Sequence, residues 1–154
     1  MLKIANYVID GIAGLTEQES GVTLELLSGK VCTIPKRDLK MEGLIDWARF
    51  CSAFNTPIAL RIINDKVVDA AEYTYRPVSS ISPQDDNTVK VWLLGRPGPY
   101  RFSRTEANSQ YSLLVRSLNT HFKLLFLISG AQIDVVVELS PSEIENLTMV
   151  GGIL

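Results

Sequence analysis

Residues that usually carry catalysis or bind metals are scarce in this 154-residue sequence, which has one histidine and two cysteines. His121 lacks the serine, aspartate or cysteine pattern that would make it part of a catalytic triad or a metal site. Cys32 and Cys51 have no CxxC spacing, so we expect them to be reduced and partly buried rather than joined in a disulfide or bound to a metal. We therefore assign no catalytic residue, no metal and no cofactor. The sequence leaves enzymatic activity open and leans against it.

Long apolar runs are also absent. The most apolar stretch, Phe122–Leu139, contains Lys123, Asp134 and Glu138 and is broken by Gly130, which argues against a membrane span. The N-terminus shows no apolar signal segment, and we expect a cytoplasmic protein. A net charge of −2 gives no reason to expect nucleic acid or an anionic membrane as a partner.

The bulk composition indicates a soluble globular protein. The sequence is 46% hydrophobic and 21% charged, which is typical of a folded domain with a core. The length predicts a single domain over residues 1–154.

The stretch Phe122–Leu139 predicts a central β-hairpin. β-Branched and aromatic residues fill both halves, and Gly130–Ala131 suits a two-residue type II′ turn, in which glycine supplies the positive φ. Alternation along the strands then predicts one apolar, buried face. Its members are Phe122, Leu124, Phe126 and Ile128, opposite Leu139, Val137, Val135 and Ile133.

A first helix is predicted from about residue 42 to residue 54, before Pro57. Apolar residues recur there at the helical spacing that marks one buried stripe. The members of this stripe are Leu44, Trp47, Ala48, Cys51 and Phe54.

A second hairpin is predicted over residues 58–73, around Asn64–Asp65, because both turn residues tolerate the left-handed conformation. A three-residue loop places Arg61 opposite Asp69, and a two-residue loop places it opposite Val68. The sequence leaves both registers open.

The rest of the chain predicts a loop, a helix and a short terminal helix. Residues 79–87 are rich in serine, aspartate and proline and predict a loop. A capping box from Ser103 to Glu106 predicts the start of a second helix. Ser140–Glu143 combines a capping box with Pro141 at the first helical position, and so predicts a C-terminal helix.

The elements together predict an α+β fold with two main helices packed on one face of antiparallel sheet. Residues 21–73 and 87–139 both read strand, strand, helix, strand, strand, which predicts two ββαββ units. Few identities support a duplication, and any helix-on-sheet unit requires a similar pattern.

The segment Gly95–Arg104 is the best candidate for a ligand site. It places three arginines and a proline-containing loop before a predicted helix N-terminus, where free backbone N–H groups favour anions. It lacks the nucleotide-binding P-loop pattern, and solvated arginines on a rigid loop are the alternative. The ligand-binding candidates are Arg96, Tyr100, Arg101 and Arg104.

These features predict a homo-oligomeric binding or interaction module, because several strands must end at sheet edges that need to be paired, covered or charged. The alternative is a small enzyme or ligand-binding protein with an anion pocket near the three arginines. We expect self-association, a small anionic ligand as the further candidate partner, and neither nucleic acid nor membrane.

Replacing Phe126 tests the predicted core. If the side chain fills the hairpin's buried face, Phe126→Ala should lower the free energy of unfolding by about 3–5 kcal/mol, the usual effect of emptying a large core site. Chemical denaturation measures the change. A loss below about 1 kcal/mol, as for a surface residue, would contradict the burial.

Overall fold

The computed structural model describes residues 1–104 and 109–151 of the chain. Within them the protein has three helices and twelve strands, most of them paired antiparallel, which confirms the predicted α+β class. The helices are α1 (Leu39–Ala53), α2 (Ser109–Thr120) and α3 (Pro141–Met149). The strands are β1 (Leu2–Ile4), β2 (Tyr7–Asp10), β3 (Ile12–Gln18), β4 (Gly21–Leu26), β5 (Val31–Pro35), β6 (Ile58–Ile63), β7 (Lys66–Arg76), β8 (Val78–Pro83), β9 (Thr88–Leu93), β10 (Tyr100–Ser103), β11 (Leu124–Ser129) and β12 (Gln132–Val137).

The chain divides into two compact units. The first contains residues 1–71 and the chain from Pro141 onward, and the second contains residues 72–140. Strand β7 contributes to both, since its residues up to Ala71 belong to the first unit and those from Glu72 to the second.

The first unit surrounds α1. Strands β3, β4 and β5 form an antiparallel meander, β1, β2, β6 and β7 pair antiparallel in that order, and β5 joins β7 through a parallel bridge. Helix α1 packs against β3 and β5. The fully buried side chains of this core include Leu24, Ile34, Ala48, Cys51, Ile58 and Val67.

The second unit surrounds α2. Strand β11 pairs antiparallel with the second half of β7 and with β12, β10 joins β12 through a parallel bridge, and β9 and β8 follow antiparallel. Helix α2 packs against β8 and β12. Buried members of this core include Val91, Leu93, Phe102, Leu114, Leu124 and Phe126.

The β11–β12 hairpin has the predicted turn but not the predicted register throughout. Gly130 has φ +62°, and Ile128 lies opposite Ile133 as expected. An irregularity between Leu127 and Ile128 then places Phe126 opposite Val136 rather than Val135. The predicted pairing is therefore wrong beyond the first pair, because a bulge moves every later residue by one position. Val136 rather than Val135 is buried on β12, whereas Leu124 and Ile128 on β11 are buried as predicted. Phe126 itself is fully buried.

The β6–β7 hairpin settles the register that the sequence left open. Asn64 and Asp65 both have positive φ, +51° and +62°, and they form a two-residue turn. Arg61 nevertheless lies opposite Asp69, because a bulge follows between Arg61 and Ile62.

The predicted loop at residues 79–87 is wrong in its first half. Val78–Pro83 forms β8, which pairs with β9. Serine-rich sequence has a low strand propensity, but pairing with an apolar neighbouring strand overrides a local preference.

One of the predicted helix starts is confirmed, whereas α1 begins at Leu39, three residues before the predicted start. Helix α3 begins at Pro141, as expected. Ser103 is the last residue of β10, and the capping box predicted from Ser103 to Glu106 extends into residues 105–108, outside the described part of the chain.

Both cysteines are buried free thiols. Burial raises the pKa of Cys32 and of Cys51 to about 11, since an apolar environment disfavours the thiolate. In the described residues, no helix is both long enough and apolar enough to cross a membrane.

A buried serine ties α2 to the surrounding chain. The Ser117 hydroxyl accepts a hydrogen bond from the backbone N–H of Val78 at 3.0 Å and donates one to the Phe122 carbonyl at 2.6 Å. Ser117 and Val78 are at most 1% exposed, so water cannot replace these bonds without opening the core.

Ser117→Ala should therefore lower the free energy of unfolding by about 1–3 kcal/mol, since it leaves a buried N–H group without its partner. Chemical denaturation measures the loss, and Ser79→Ala on exposed β8 is the matched control. Equal stability of the two variants would contradict the role of the buried hydroxyl.

Candidate functional site

Helix α1 is held at both ends by specific caps. At its start, the Asp38 carboxylate accepts a hydrogen bond from the backbone N–H of Met41 at 2.9 Å, the usual role of aspartate at an N-cap. At its end, Thr56 N–H bonds to the Cys51 carbonyl at 2.9 Å, and Asn55 has φ +51°. This is a Schellman motif with asparagine in the left-handed position. The helix axis and the residues around its C-terminus are therefore well fixed.

The buried side of α1 differs from the predicted stripe. The helix buries Met41, Ile45, Ala48 and Cys51, whereas Phe54 is 67% exposed. The predicted stripe is therefore wrong at Phe54. A second apolar sector lies beside the buried one on α1, and the predicted stripe took residues from both.

That second sector is an exposed aromatic cluster. The Trp47 and Phe50 rings are stacked with centroids 5.4 Å apart, and the Phe50 and Phe54 rings are tilted with centroids 4.7 Å apart. Trp47 also packs partly against the core, while Phe50 is 46% exposed. Contiguous exposed aromatic surface is unusual on a monomer and marks interaction sites.

Gly43 completes this surface, and we call Gly43, Trp47, Phe50 and Phe54 the aromatic face of α1. Their spacing of four, three and four residues places them on one side of a helix. A Cβ atom added at Gly43 would meet no heavy atom within 4 Å. Glycine inside a helix lowers the stability of the helix by about 0.5–1 kcal/mol relative to alanine. No residue of the unit occupies the space above Gly43.

The sequence reasoning missed Phe50 and Gly43. The four residues recur at helical spacing, so the sequence contains the pattern of a shared helix face. An apolar pattern alone, however, does not show which sector of a helix is buried and which is exposed.

The predicted anion site lies in the second unit, where Arg96 is already engaged. Its guanidinium donates to the Glu72 carboxylate and lies 5.8 Å from the centroid of the Tyr100 ring. Burial opposes the charge of Arg96, but the hydrogen bond to Glu72 and the negative charge of that carboxylate outweigh it, and the pKa of Arg96 is raised.

Tyr100, Arg101 and Arg104, the other predicted site residues, each have different surroundings. Tyr100 is buried and Arg101 exposed, as expected of neighbours that point to opposite faces of β10. The Arg104 guanidinium lies 4.4 Å from the Tyr111 ring centroid. In the β9–β10 pair, Lys90 lies opposite Arg101. These two cations are therefore on the same face of the sheet.

No metal centre is formed by the residues that the structure describes. Within residues 1–104 and 109–151, no group of three or more His, Cys, Asp or Glu side chains is placed to hold an ion.

Comparison with known proteins gives one partial structural likeness. No family model and no curated protein matches the chain. A crystal structure of a pro-protein-glutaminase is similar at 16% sequence identity and a TM-score of 0.42, over 51% of this chain. The match spans 29% of that protein's chain, less than a third of its length. No conclusion about function follows at this level of similarity.

The three-arginine site remains a prediction that phosphate can test. If Arg96, Arg101 and Arg104 hold one anion, inorganic phosphate should raise the melting temperature and Arg104→Ala should abolish the rise. Glu72→Gln should enlarge it, since Arg96 then loses its carboxylate partner. Differential scanning fluorimetry at constant ionic strength measures all three.

Lys90→Ala separates this site from a cross-strand alternative. A shift that survives in Arg104→Ala but disappears in Lys90→Ala would contradict the three-arginine site, because the anion would then lie between Lys90 and Arg101.

Proposed function

We propose that the protein is a homo-oligomeric interaction module that self-associates through the aromatic face of α1. The observation that carries this proposal is the contiguous Trp47–Phe50–Phe54 ring cluster, whose two phenylalanines are exposed beside a glycine with open space above it. The proposal assigns no catalytic step to the chain.

A second copy of this chain suits the face because its pattern is self-complementary. In a pair of antiparallel helices related by a twofold axis, two residues face each other when the axis passes midway between them. The midpoint between Gly43 and Phe54 is also the midpoint between Trp47 and Phe50. One axis therefore seats the Phe54 ring of each copy over Gly43 of the other and sets Trp47 against Phe50.

Burial of these rings supplies the driving force. Aromatic side chains in the centre of an interface dominate its affinity, with losses of about 2 kcal/mol or more on truncation at the strongest positions. The rings are already ordered by stacking on one another and by the caps of α1, so association immobilises few additional side chains.

We also propose that the chain is built from two ββαββ units, with α1 and α2 each covering one face of its own sheet. In both stretches two antiparallel hairpins flank the helix, and the strand before the helix joins the last strand by a parallel bridge. The bulges support the same reading, since the unpaired residues Val68 and Asp134 occupy corresponding positions in the predicted repeats.

Substitutions on the aromatic face test self-association. We expect the wild-type chain to be a dimer at micromolar concentration and Phe54→Ala to weaken it by at least about tenfold. Gly43→Lys should abolish the dimer while leaving the fold intact or more stable, because lysine is the better helix former. Light scattering and analytical ultracentrifugation measure mass, and thermal unfolding measures stability.

Ala53→Lys is the control, since it adds the same charge to exposed α1 surface about 90° round the helix from the centre of the aromatic face. A wild-type chain that is monomeric throughout the micromolar range would overturn the proposal. So would a Gly43→Lys variant with the wild-type dissociation constant.

A further inference from the structure

A cleft of about 330 Å³ lies in the first unit, on another side of α1. This volume is within the range of small-ligand sites. Four helix residues line one wall: Glu42, Ile45, Asp46 and Arg49. The opposite wall comes from the ends of β3, β4 and β5 and includes Glu17, Gly21, Val22 and Lys36.

Close backbone packing builds the strand wall. Gly21 has φ +147°, and a Cβ atom there would lie 2.2 Å from the Ile34 carbonyl oxygen, so only glycine allows β4 to approach β5 at this point. The Lys36 N–H then donates to the Ser20 carbonyl at 2.9 Å. These contacts fix the backbone that carries Lys36 at the rim.

One cation and two carboxylates in the cleft pair with one another, which leaves this group with a single net negative charge. Arg49 donates from Nε to Glu17 at 2.8 Å and from Nη1 to Asp46 at 2.7 Å. The hydrogen bond that Arg49 donates to Glu17 raises the pKa of Arg49, and desolvation opposes it. The charge of Glu17 and the hydrogen bond and charge of Asp46 raise the pKa further. This triad spans the cleft between β3 and α1 and is satisfied without a ligand.

The two other charges are of opposite sign. Lys36 on the strand wall and Glu42 on the helix wall make no ion pair with any residue of the described chain. Val22 and Ile45 are buried apolar residues that also line the cleft. Among the described residues, the cleft therefore holds a cation, Lys36, and a carboxylate, Glu42, that no ion pair engages, above an apolar floor formed by Val22 and Ile45.

We infer that this cleft binds a small zwitterion of the α-amino-acid class with an aliphatic side chain. The ligand's ammonium group pairs with Glu42, its carboxylate pairs with Lys36, and its side chain contacts Val22 and Ile45. A simple anion would meet three carboxylates in the cleft and a simple cation would meet Lys36 and Arg49, so a molecule with both charges suits the lining better than either. Exposed ion pairs are individually weak. We therefore expect the ligand to bind with a dissociation constant in the millimolar range.

Leucine and its two singly charged derivatives test this inference directly. Titration of ¹⁵N-labelled protein should show leucine shifting the backbone resonances of Gly21 and Ile45. N-acetyl-leucine, which lacks the ammonium, and leucinamide, which lacks the carboxylate, should bind at least about tenfold more weakly. Equal shifts from all three compounds, or none from leucine, would overturn the inference.

Variants then assign the two charges. Lys36→Met and Glu42→Gln should each weaken leucine binding by about fivefold or more, whereas Arg37→Met and Glu19→Gln, which change neighbouring exposed charges, should not. The double variant Lys36→Glu/Glu42→Lys keeps both charges and should restore binding with the ligand reversed. Unchanged leucine affinity in Lys36→Met would contradict the pairing.

This inference is independent of self-association. Gly43→Lys should leave the leucine titration unchanged, and Glu42→Gln should leave the mass unchanged. A result in which every variant of the aromatic face also removed leucine binding would contradict a separate cleft.

Discussion

One hydrogen bond, made once in each unit, fixes the strand before the long helix to the hairpin after it. The Thr33 N–H donates to the Asp65 carbonyl at 2.9 Å, and the Arg101 N–H donates to the Ala131 carbonyl at 2.7 Å. Each acceptor is the second residue of a two-residue turn. The bond begins the parallel bridge from β5 to β7 and from β10 to β12. Since a slip of one residue would turn every side chain of the strand to the other face, this contact decides which residues of β5 and β10 enter the core.

Much of the fold follows from local sequence signals. The α+β class, the two hairpin turns, the start of α3 at Pro141 and the burial of Phe126 agree with what turn chemistry and periodicity predict, whereas the N-cap at Asp38 was not predicted. The bulges do not follow in this way. The unpaired residues of the β6–β7 and β11–β12 hairpins are Val68 and Asp134, and neither is a glycine or proline that would have marked an interruption. Strict alternation is therefore the natural reading of each strand, and it is wrong by one residue beyond the bulge.

The candidate site shows a different limit of sequence reasoning. Apolar residues occupy more than half of the circumference of α1, so periodicity detects an amphipathic helix without identifying the side that packs on the sheet. Met41 and Ile45 are buried, while Phe50 and Phe54 are exposed. What decides between them is where β3 and β5 meet the helix, and that depends on contacts distant in sequence. Gly43 carries no hydrophobic signal at all, and its open space is visible only when its surroundings are known.

Helix α1 thus has three sectors with different roles. At 3.6 residues per turn, the buried residues, the aromatic face and the cleft wall are centred roughly 120° apart. A helix needs only its buried sector for stability, and the other two are free to vary unless something selects them. The aromatic sector exposes the Phe50 and Phe54 rings, and the cleft sector holds Glu42 across from Lys36 without an ion pair in the described chain. Because Met41, Ile45, Ala48 and Cys51 bury their side of α1 against the strands, neither of the other sectors can turn inward without exposing this core. Both surfaces are therefore permanent features of the folded unit, available for contact with another molecule.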